Sequence, residues 1–213
     1  MINILLSTYD FNNENCFPVV KQFLKPNMKV VILPFSHDDI FYDREDYFDE
    51  LYDYEFGKDF NILANVFRDY GIGKENIYVL NPFRDTIDFM KMKIQQADVC
   101  FAVGGNPITF MQIVKALGLL KVLKNFNGIF IGASAGAMIQ VEEFIIYPTP
   151  YEDYEFGFYK GLGYIKGKDV IVHWNKEKYQ FVACYKSMFD RLILPMFLRD
   201  GECIIFEDGI EIE

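Results

Sequence analysis

Residues 128–139 read Gly-Ile-Phe-Ile-Gly-Ala-Ser-Ala-Gly-Ala-Met-Ile. This apolar run breaks at a serine and then continues with residues that favour a helix. Gly132 and Gly136 stand two positions on either side of Ser134, which is the pattern of a nucleophile elbow. A serine on such a tight strand-to-helix turn needs small neighbours, because larger side chains would collide with the backbone that crosses beside it. We therefore predict that Ser134 is a nucleophile.

The rest of the chain predicts an α/β fold. Short β-rich runs alternate with longer amphipathic stretches, so we expect one domain over residues 1–213 with a doubly wound, mostly parallel sheet and helices on both faces. The predicted strands are Ile2–Leu6, Lys29–Pro34, Asn76–Leu80, Val99–Val103, Gly128–Ile131, Phe144–Tyr147 and Val170–His173. The predicted helices are Asn15–Leu24, Phe56–Tyr70, Thr86–Gln96, Ile108–Ala116, Ala135–Val141 and Glu177–Phe189. Asp208-Gly209 predicts a C-terminal β-hairpin at a sheet edge.

Composition and charge argue against several classes of protein. Hydrophobic residues make up 51% of the 213 residues, enough to cover both faces of a buried sheet. The formal net charge of −10 repels nucleic acid and anionic lipid, so neither is expected as a partner. Because no stretch approaches the roughly 20 apolar residues that span a bilayer, and Met1–Ser7 lacks the features of a signal peptide, we expect a cytoplasmic protein. The four scattered cysteines predict reduced, mostly buried thiols.

A serine hydroxyl attacks only if a base can take its proton, and the chain has two histidines. His37 follows the second predicted strand and His173 ends a late one, so both lie at the edge of the sheet where ligands gather in open α/β folds. His173 is the better candidate for the general base, because it lies downstream of Ser134 at the end of a late strand.

A carboxylate should orient the imidazole and stabilise its charged form. Between Ser134 and His173 we favour Asp153, then Glu152, with Glu155 third. All three fall in the loop after Pro148, where each is equally well explained as an exposed carboxylate, so the choice stays open.

The segment Phe101–Pro107 ends a predicted buried strand with two glycines and leads into a predicted helix. Glycines at this position allow a backbone N–H group to approach the substrate. We predict that Gly105 and Ala135 donate to the oxyanion of acyl transfer, with Gly104 and Asn106 in contact with substrate.

No pattern in the sequence indicates a cofactor or a metal. The first predicted strand is not followed by a Gly-x-Gly-x-x-Gly loop, and no Walker sequence is present. The two histidines are distant from each other, and no carboxylate spacing indicates a metal site.

Acidic and aromatic residues alternate over Asp38–Asp59. The simpler interpretation is a segment whose aromatic side packs on the protein while its carboxylates face water. The alternative is a lid over the site, whose charge would suit a substrate with a free amine or a basic side chain.

Three blocks of sequence together resemble a known family. Val103-Gly104-Gly105-Asn106, then residues 132–137, then His173, are similar to the peptidase E (aspartyl dipeptidase) and cyanophycinase family of serine peptidases. The resemblance implies a fold like that of class I glutamine amidotransferases. It also implies that Ser134 is the nucleophile, His173 the general base, and Gly105 with Ala135 the oxyanion donors.

The leading hypothesis is a serine peptidase that cleaves a peptide or isopeptide bond of a small peptide through an acyl-enzyme on Ser134. One alternative is an esterase or amidase of the α/β-hydrolase type, which shares the Gly-x-Ser-x-Gly pattern. Another is a catalytically silent module that binds a small molecule. The preferred substrate stays open, and a homodimer is compatible with the sequence.

Overall fold

The structure, a computed structural model, describes residues 1–37, 44–150 and 154–212. Its strands are β1 (Ile2–Leu6), β2 (Val30–Leu33), β3 (Ile77–Val79), β4 (Val99–Ala102), β5 (Ile129–Ala133), β6 (Glu143–Ile146), β7 (Gly157–Lys160), β8 (Val170–Ile171), β9 (Met196–Phe197), β10 (Cys203–Glu207) and β11 (Ile210–Ile212). Its helices are α1 (Phe17–Val20), α2 (Glu45–Tyr52), α3 (Lys58–Asp69), α4 (Ile87–Gln96), α5 (Pro107–Ala116), α6 (Leu120–Lys124), α7 (Ala135–Met138) and α8 (Lys178–Arg191).

The main sheet has the strand order β11-β10-β1-β5-β4-β2-β3. The strands from β1 to β3 in this order run parallel, whereas β10 and β11 are antiparallel additions at one edge. The turn between β10 and β11 uses Asp208 at φ 49° and Gly209 at φ 80°. Positive φ at both central residues is what a two-residue hairpin turn of type I′ requires. The predicted α/β sheet and its C-terminal hairpin are confirmed.

Helices cover both faces of this sheet because successive strand residues point to opposite sides. Leu5 and Leu33 pack on one face, in a cluster that includes buried residues of α4, α5 and α6. Ile4 and Ile32 pack on the other face, in a cluster with buried residues of α1, α2 and α3. The turn that carries Ser134 therefore starts from a strand in the middle of a three-layer structure.

Two of the predicted strands belong to smaller sheets and not to the main one. The predicted strand Phe144–Tyr147 corresponds to β6, which pairs antiparallel with β7. The predicted strand Val170–His173 is reduced to β8, which pairs parallel with β9. Helix α8 packs against both small sheets in a cluster that joins Ala183 to Ile145 and Ile171. His173 therefore belongs to a unit made of α8 and the two small sheets, and not to the main sheet.

The segment Asp38–Asp59 falls partly outside the described residues, which resume at residue 44. In the described part, α2 buries Phe48 and Tyr52, each 3% exposed. Two carboxylates on the outer side of α2 form ion pairs with Arg84. This part thus packs its aromatic side inward, and a lid over the site stays a prediction.

The cysteines are free thiols, with Cys16 and Cys100 buried and Cys184 and Cys203 half-buried. Across the described ranges, the helices are too short or too polar to cross a membrane.

Candidate active site

Ser134 occupies the turn between β5 and α7, with φ 52° and ψ −112°. Positive φ is a strained conformation for a residue with a side chain, and it is the conformation expected of an elbow nucleophile. The flanking glycines are required by close backbone contacts. A Cβ atom on Gly132 would lie 2.0 Å from the carbonyl oxygen of Gly136, and one on Gly136 would lie 2.2 Å from that of Ala102.

Buried polar contacts fix the elbow to β1. The Ser134 N–H donates to the Leu6 carbonyl at 2.8 Å. The fully buried Gln140 donates through Nε2 to the carbonyls of Ile4 and Gly136, both at 3.2 Å, and accepts from Asn3 Nδ2 at 3.0 Å. Because these partners lie in the interior, the elbow has little freedom to relax.

His173 lies beside the serine. Its Nε2 is 2.9 Å from Ser134 Oγ, within hydrogen-bond reach. The backbone around His173 is strained, with φ 53°, and is held by two hydrogen bonds. Its N–H donates to Ser7 Oγ at 3.0 Å, and its carbonyl accepts from Gln180 Nε2 at 2.8 Å. His37, the other candidate base, instead contacts the Tyr52 hydroxyl through Nε2 at 2.7 Å.

The carboxylate at the other ring nitrogen is Asp200, whose Oδ1 is 2.6 Å from His173 Nδ1. The sequence analysis did not consider Asp200, because it searched only between the serine and the histidine. Glu152 and Asp153 lie outside the described residues. The third candidate, Glu155, is exposed.

His173 and Asp200 come together because they follow neighbouring strands. β8 and β9 pair parallel, and the pairing continues past their ends through the Trp174 N–H, which donates to the Leu198 carbonyl at 3.0 Å. The buried Ser7 joins both segments, since its hydroxyl donates to the Leu198 carbonyl at 2.8 Å and accepts from the His173 N–H. Ser7, which the sequence analysis also missed, is therefore a positioning residue for the pair.

The glycine loop after β4 lies against the serine. A Cβ atom on Gly104 would lie 3.3 Å from Ser134 Cβ. Gly105 has φ 128°, and a Cβ atom there would lie 2.3 Å from the Ser36 carbonyl oxygen, so both conformation and space require glycine. Asn106 caps α5, its side-chain oxygen accepting from the N–H groups of Ile108 and Thr109.

Three backbone N–H groups near Ser134 differ in whether they already have a hydrogen-bond acceptor. The Gly104 N–H donates to the Tyr9 hydroxyl at 2.9 Å. Within the described ranges, the N–H groups of Gly105 and Ala135 have no hydrogen-bond acceptor. They are thus available to a bound molecule next to Ser134.

The surroundings of the site are open and acidic. The side chains of His173 and Asp200 are 46% and 63% exposed. A groove of about 420 Å³ borders Asp200 and Gly201 and continues along Tyr9 to Ile62 on α3. Nearby on α3, burial raises the pKa of the Asp59 carboxyl group, a shift that the charge of His37 opposes. In the described part of the chain, no three His, Cys, Asp or Glu side chains are grouped as metal ligands.

Ser134 follows a strand of the doubly wound sheet, whereas His173 and Asp200 follow the strands of a separate small sheet, and the three side chains are hydrogen-bonded in series. This arrangement is typical of proteins of the hydrolase class. Comparison with family models agrees, since the model of peptidase family S51 matches residues 5–209. The chain belongs to peptidase family S51. The resemblance to peptidase E is confirmed, and family membership supports a peptidase function.

Solved structures show the same fold. A candidate peptidase E protein from Listeria monocytogenes EGD-e superimposes with a TM-score of 0.66 at 16% identity, covering 99% of this chain and 96% of that one. A peptidase from an acI-B1 actinobacterium gives a TM-score of 0.62 at 16% identity, covering 97% of this chain and 83% of that one. A search of curated proteins found no match.

Proposed function

We propose that this chain is a serine peptidase that cleaves a peptide or isopeptide bond of a small peptide through an acyl-enzyme on Ser134. The observation that carries the proposal is the 2.9 Å contact between His173 Nε2 and Ser134 Oγ, at a serine whose backbone has the strained elbow conformation. A base within hydrogen-bond reach is what makes a serine hydroxyl nucleophilic near neutral pH.

In the proposed reaction, Ser134 Oγ attacks the carbonyl carbon of the scissile bond while its proton passes to His173 Nε2. The tetrahedral intermediate then collapses, and the leaving amine takes that proton as the C–N bond breaks. A water molecule next attacks the acyl-enzyme, giving its proton to Nε2. Collapse of the second intermediate returns the proton to Ser134 and releases the carboxylic acid.

We assign the third position to Asp200, in place of Asp153 and Glu152. A carboxylate that accepts from Nδ1–H keeps the imidazole in the tautomer that presents a basic Nε2 to the serine, and it stabilises the imidazolium that forms. The contact of 2.6 Å between Asp200 Oδ1 and His173 Nδ1 has the short length of a charge-assisted hydrogen bond. The chain order is then serine, histidine, aspartate.

The N–H groups of Gly105 and Ala135 are the proposed oxyanion donors. Both are unpaired in the described structure, and Gly104 next to them lies against Ser134. Gly104 itself is not a donor in this scheme, because its N–H is bound to Tyr9. Fixed backbone donors lower the barrier because they need no reorganisation when charge develops on the oxygen.

Hydrolysis of a dipeptide library tests the proposal. The library should contain members with acidic, basic and apolar side chains and with both α- and β-linkages, so that activity and preference are measured together. We expect wild-type protein to hydrolyse at least one class. Ser134→Ala and His173→Ala should lower turnover by at least about 10³-fold, since both residues act in one catalytic unit.

His37→Ala is the matched control, because it removes the chain's other imidazole without touching Ser134. It should keep the wild-type rate. Turnover in Ser134→Ala equal to that of wild type would refute the proposal, as would binding of library members by the wild-type protein with no hydrolysis of any.

A further inference from the structure

Tyr9, which follows the carboxyl end of β1, borders the same space as the serine. Three groups surround the position that a Cβ atom on Gly104 would take. They are Ser134 Cβ at 3.3 Å, the Ala133 carbonyl oxygen at 3.6 Å and the Tyr9 hydroxyl at 3.6 Å. The phenol and the proposed nucleophile therefore both lie next to Gly104.

In the structure, the Tyr9 hydroxyl accepts one hydrogen bond and donates none within the described residues. Its oxygen accepts from the Gly104 N–H at 2.9 Å. A phenol can also donate one proton, and no group within 1–37, 44–150 and 154–212 accepts it. Tyr9 is half-buried and lines the groove beside Asp200, so this unused donor faces the space where a substrate would bind and can donate to an acceptor that arrives with it.

The phenol is held in place and keeps its proton. The ring packs edge-on against Phe101, with centroids 5.8 Å apart, and Phe101 is fully buried in β4. Burial raises the pKa of Tyr9 to about 12. The hydroxyl is therefore neutral across the pH range in which a serine peptidase works.

We propose that Tyr9 completes the oxyanion site, with its phenolic O–H donating to the same substrate oxygen as the N–H groups of Gly105 and Ala135. The inference rests on the proposed function. Tyr9 acts in two ways at once, since its oxygen also holds the Gly104 N–H and so keeps the loop turned towards the substrate. The proton stays on Tyr9 throughout, as it does for the backbone donors.

The kinetics of inactivation by a fluorophosphonate test the proposal, because the phosphonyl oxygen takes the place of the oxyanion. Tyr9→Phe keeps the ring and removes the hydroxyl. We expect its limiting inactivation rate to fall by about 100-fold, the effect of losing one oxyanion donor, with little change in the concentration for half-maximal rate. The control is Tyr78→Phe, which removes a hydroxyl bonded to Asp85 at 2.7 Å on a distant strand. It should react within about twofold of wild type, as expected where no oxyanion donor is lost.

Failure of this inference and failure of the proposed function give different results. If wild type is not labelled on Ser134, the proposed function itself is wrong, and the oxyanion role of Tyr9 falls with it. If wild type is labelled but Tyr9→Phe reacts within about twofold of it, far from the loss expected for a donor, only the role of Tyr9 is refuted.

Incorporation of 3,5-difluorotyrosine at position 9 separates donation from positioning. Fluorine strongly lowers the pKa of the phenol, so that at alkaline pH the side chain still accepts from Gly104 but has no proton to donate. If Tyr9 is a donor, the rate relative to wild type must fall as pH rises through the new pKa. A ratio independent of pH would show that Tyr9 only positions the loop, and would overturn the proposal.

Discussion

Replacement of Arg191 by methionine should cost a large part of the stability of the fold. Arg191 Nη1 lies 2.7 Å from Oδ1 of Asp169, whose side chain is fully buried. The other carboxylate oxygen of Asp169 accepts from the Ser187 hydroxyl. Asp169 stands immediately before β8, so this ion pair ties α8 to the strand that leads to His173.

The expected magnitude follows from burial. Removing one partner of a buried ion pair leaves an uncompensated charge and typically costs about 3–5 kcal/mol. A single domain is stable by only about 5–15 kcal/mol, so the variant should lose a substantial part of its free energy of unfolding. Methionine keeps an aliphatic side chain over the Phe158 ring, which lies 4.8 Å from the guanidinium carbon, and so limits the loss of packing.

Equilibrium unfolding in urea measures this free energy, with Lys160→Met as the control. Lys160 Nζ lies 2.6 Å from Glu143 Oε1, a contact as short as that of Arg191, but the lysine side chain is 70% exposed. An exposed pair contributes about 0–1 kcal/mol. Equal losses in the two variants, or a loss below about 1 kcal/mol for Arg191→Met, would refute the view that burial determines the strength of this pair.

Three further changes have defined outcomes. Asp200→Asn should lower kcat by about 10⁴-fold, because the amide favours the wrong tautomer of His173; a loss below about tenfold would remove Asp200 from the mechanism. Gly136→Ala should lower the melting temperature and the activity together, since its Cβ would lie 2.2 Å from the Ala102 carbonyl oxygen; a variant with wild-type melting and rate would contradict that contact. Cys100 should react with a disulfide reagent only on unfolding, because burial raises the pKa of its thiol; mapping of the modified peptide in native protein checks this.

The parts of the fold that were predictable depend on local signals. The spacing of Gly132, Ser134 and Gly136 predicts the turn at Ser134. The Asp208-Gly209 pair predicts the hairpin. The strand predicted at Phe144–Tyr147 exists as β6, but the sequence did not indicate that it lies outside the main sheet. A short apolar run shows that a strand exists but not which strand it pairs with, and β6 finds its partner in β7.

The histidine of the candidate site was predictable from the sequence, and the aspartate was not. His173 stood out because one of only two histidines followed a strand downstream of the serine. Asp200 lies 27 residues beyond His173. It is followed by Gly201, and an Asp-Gly pair predicts only a turn, as at Asp208-Gly209. The useful signal was the short apolar run Met196–Leu198 before it, which forms the strand parallel to β8.

The central claim is that Ser134 is a nucleophile activated by His173. Mass spectrometry of the protein after treatment with a fluorophosphonate tests it most directly. The account predicts one adduct, on the peptide that contains Ser134, with no adduct in Ser134→Ala and greatly slowed formation in His173→Ala. An adduct on another residue, or equal labelling of wild type and Ser134→Ala, would contradict it.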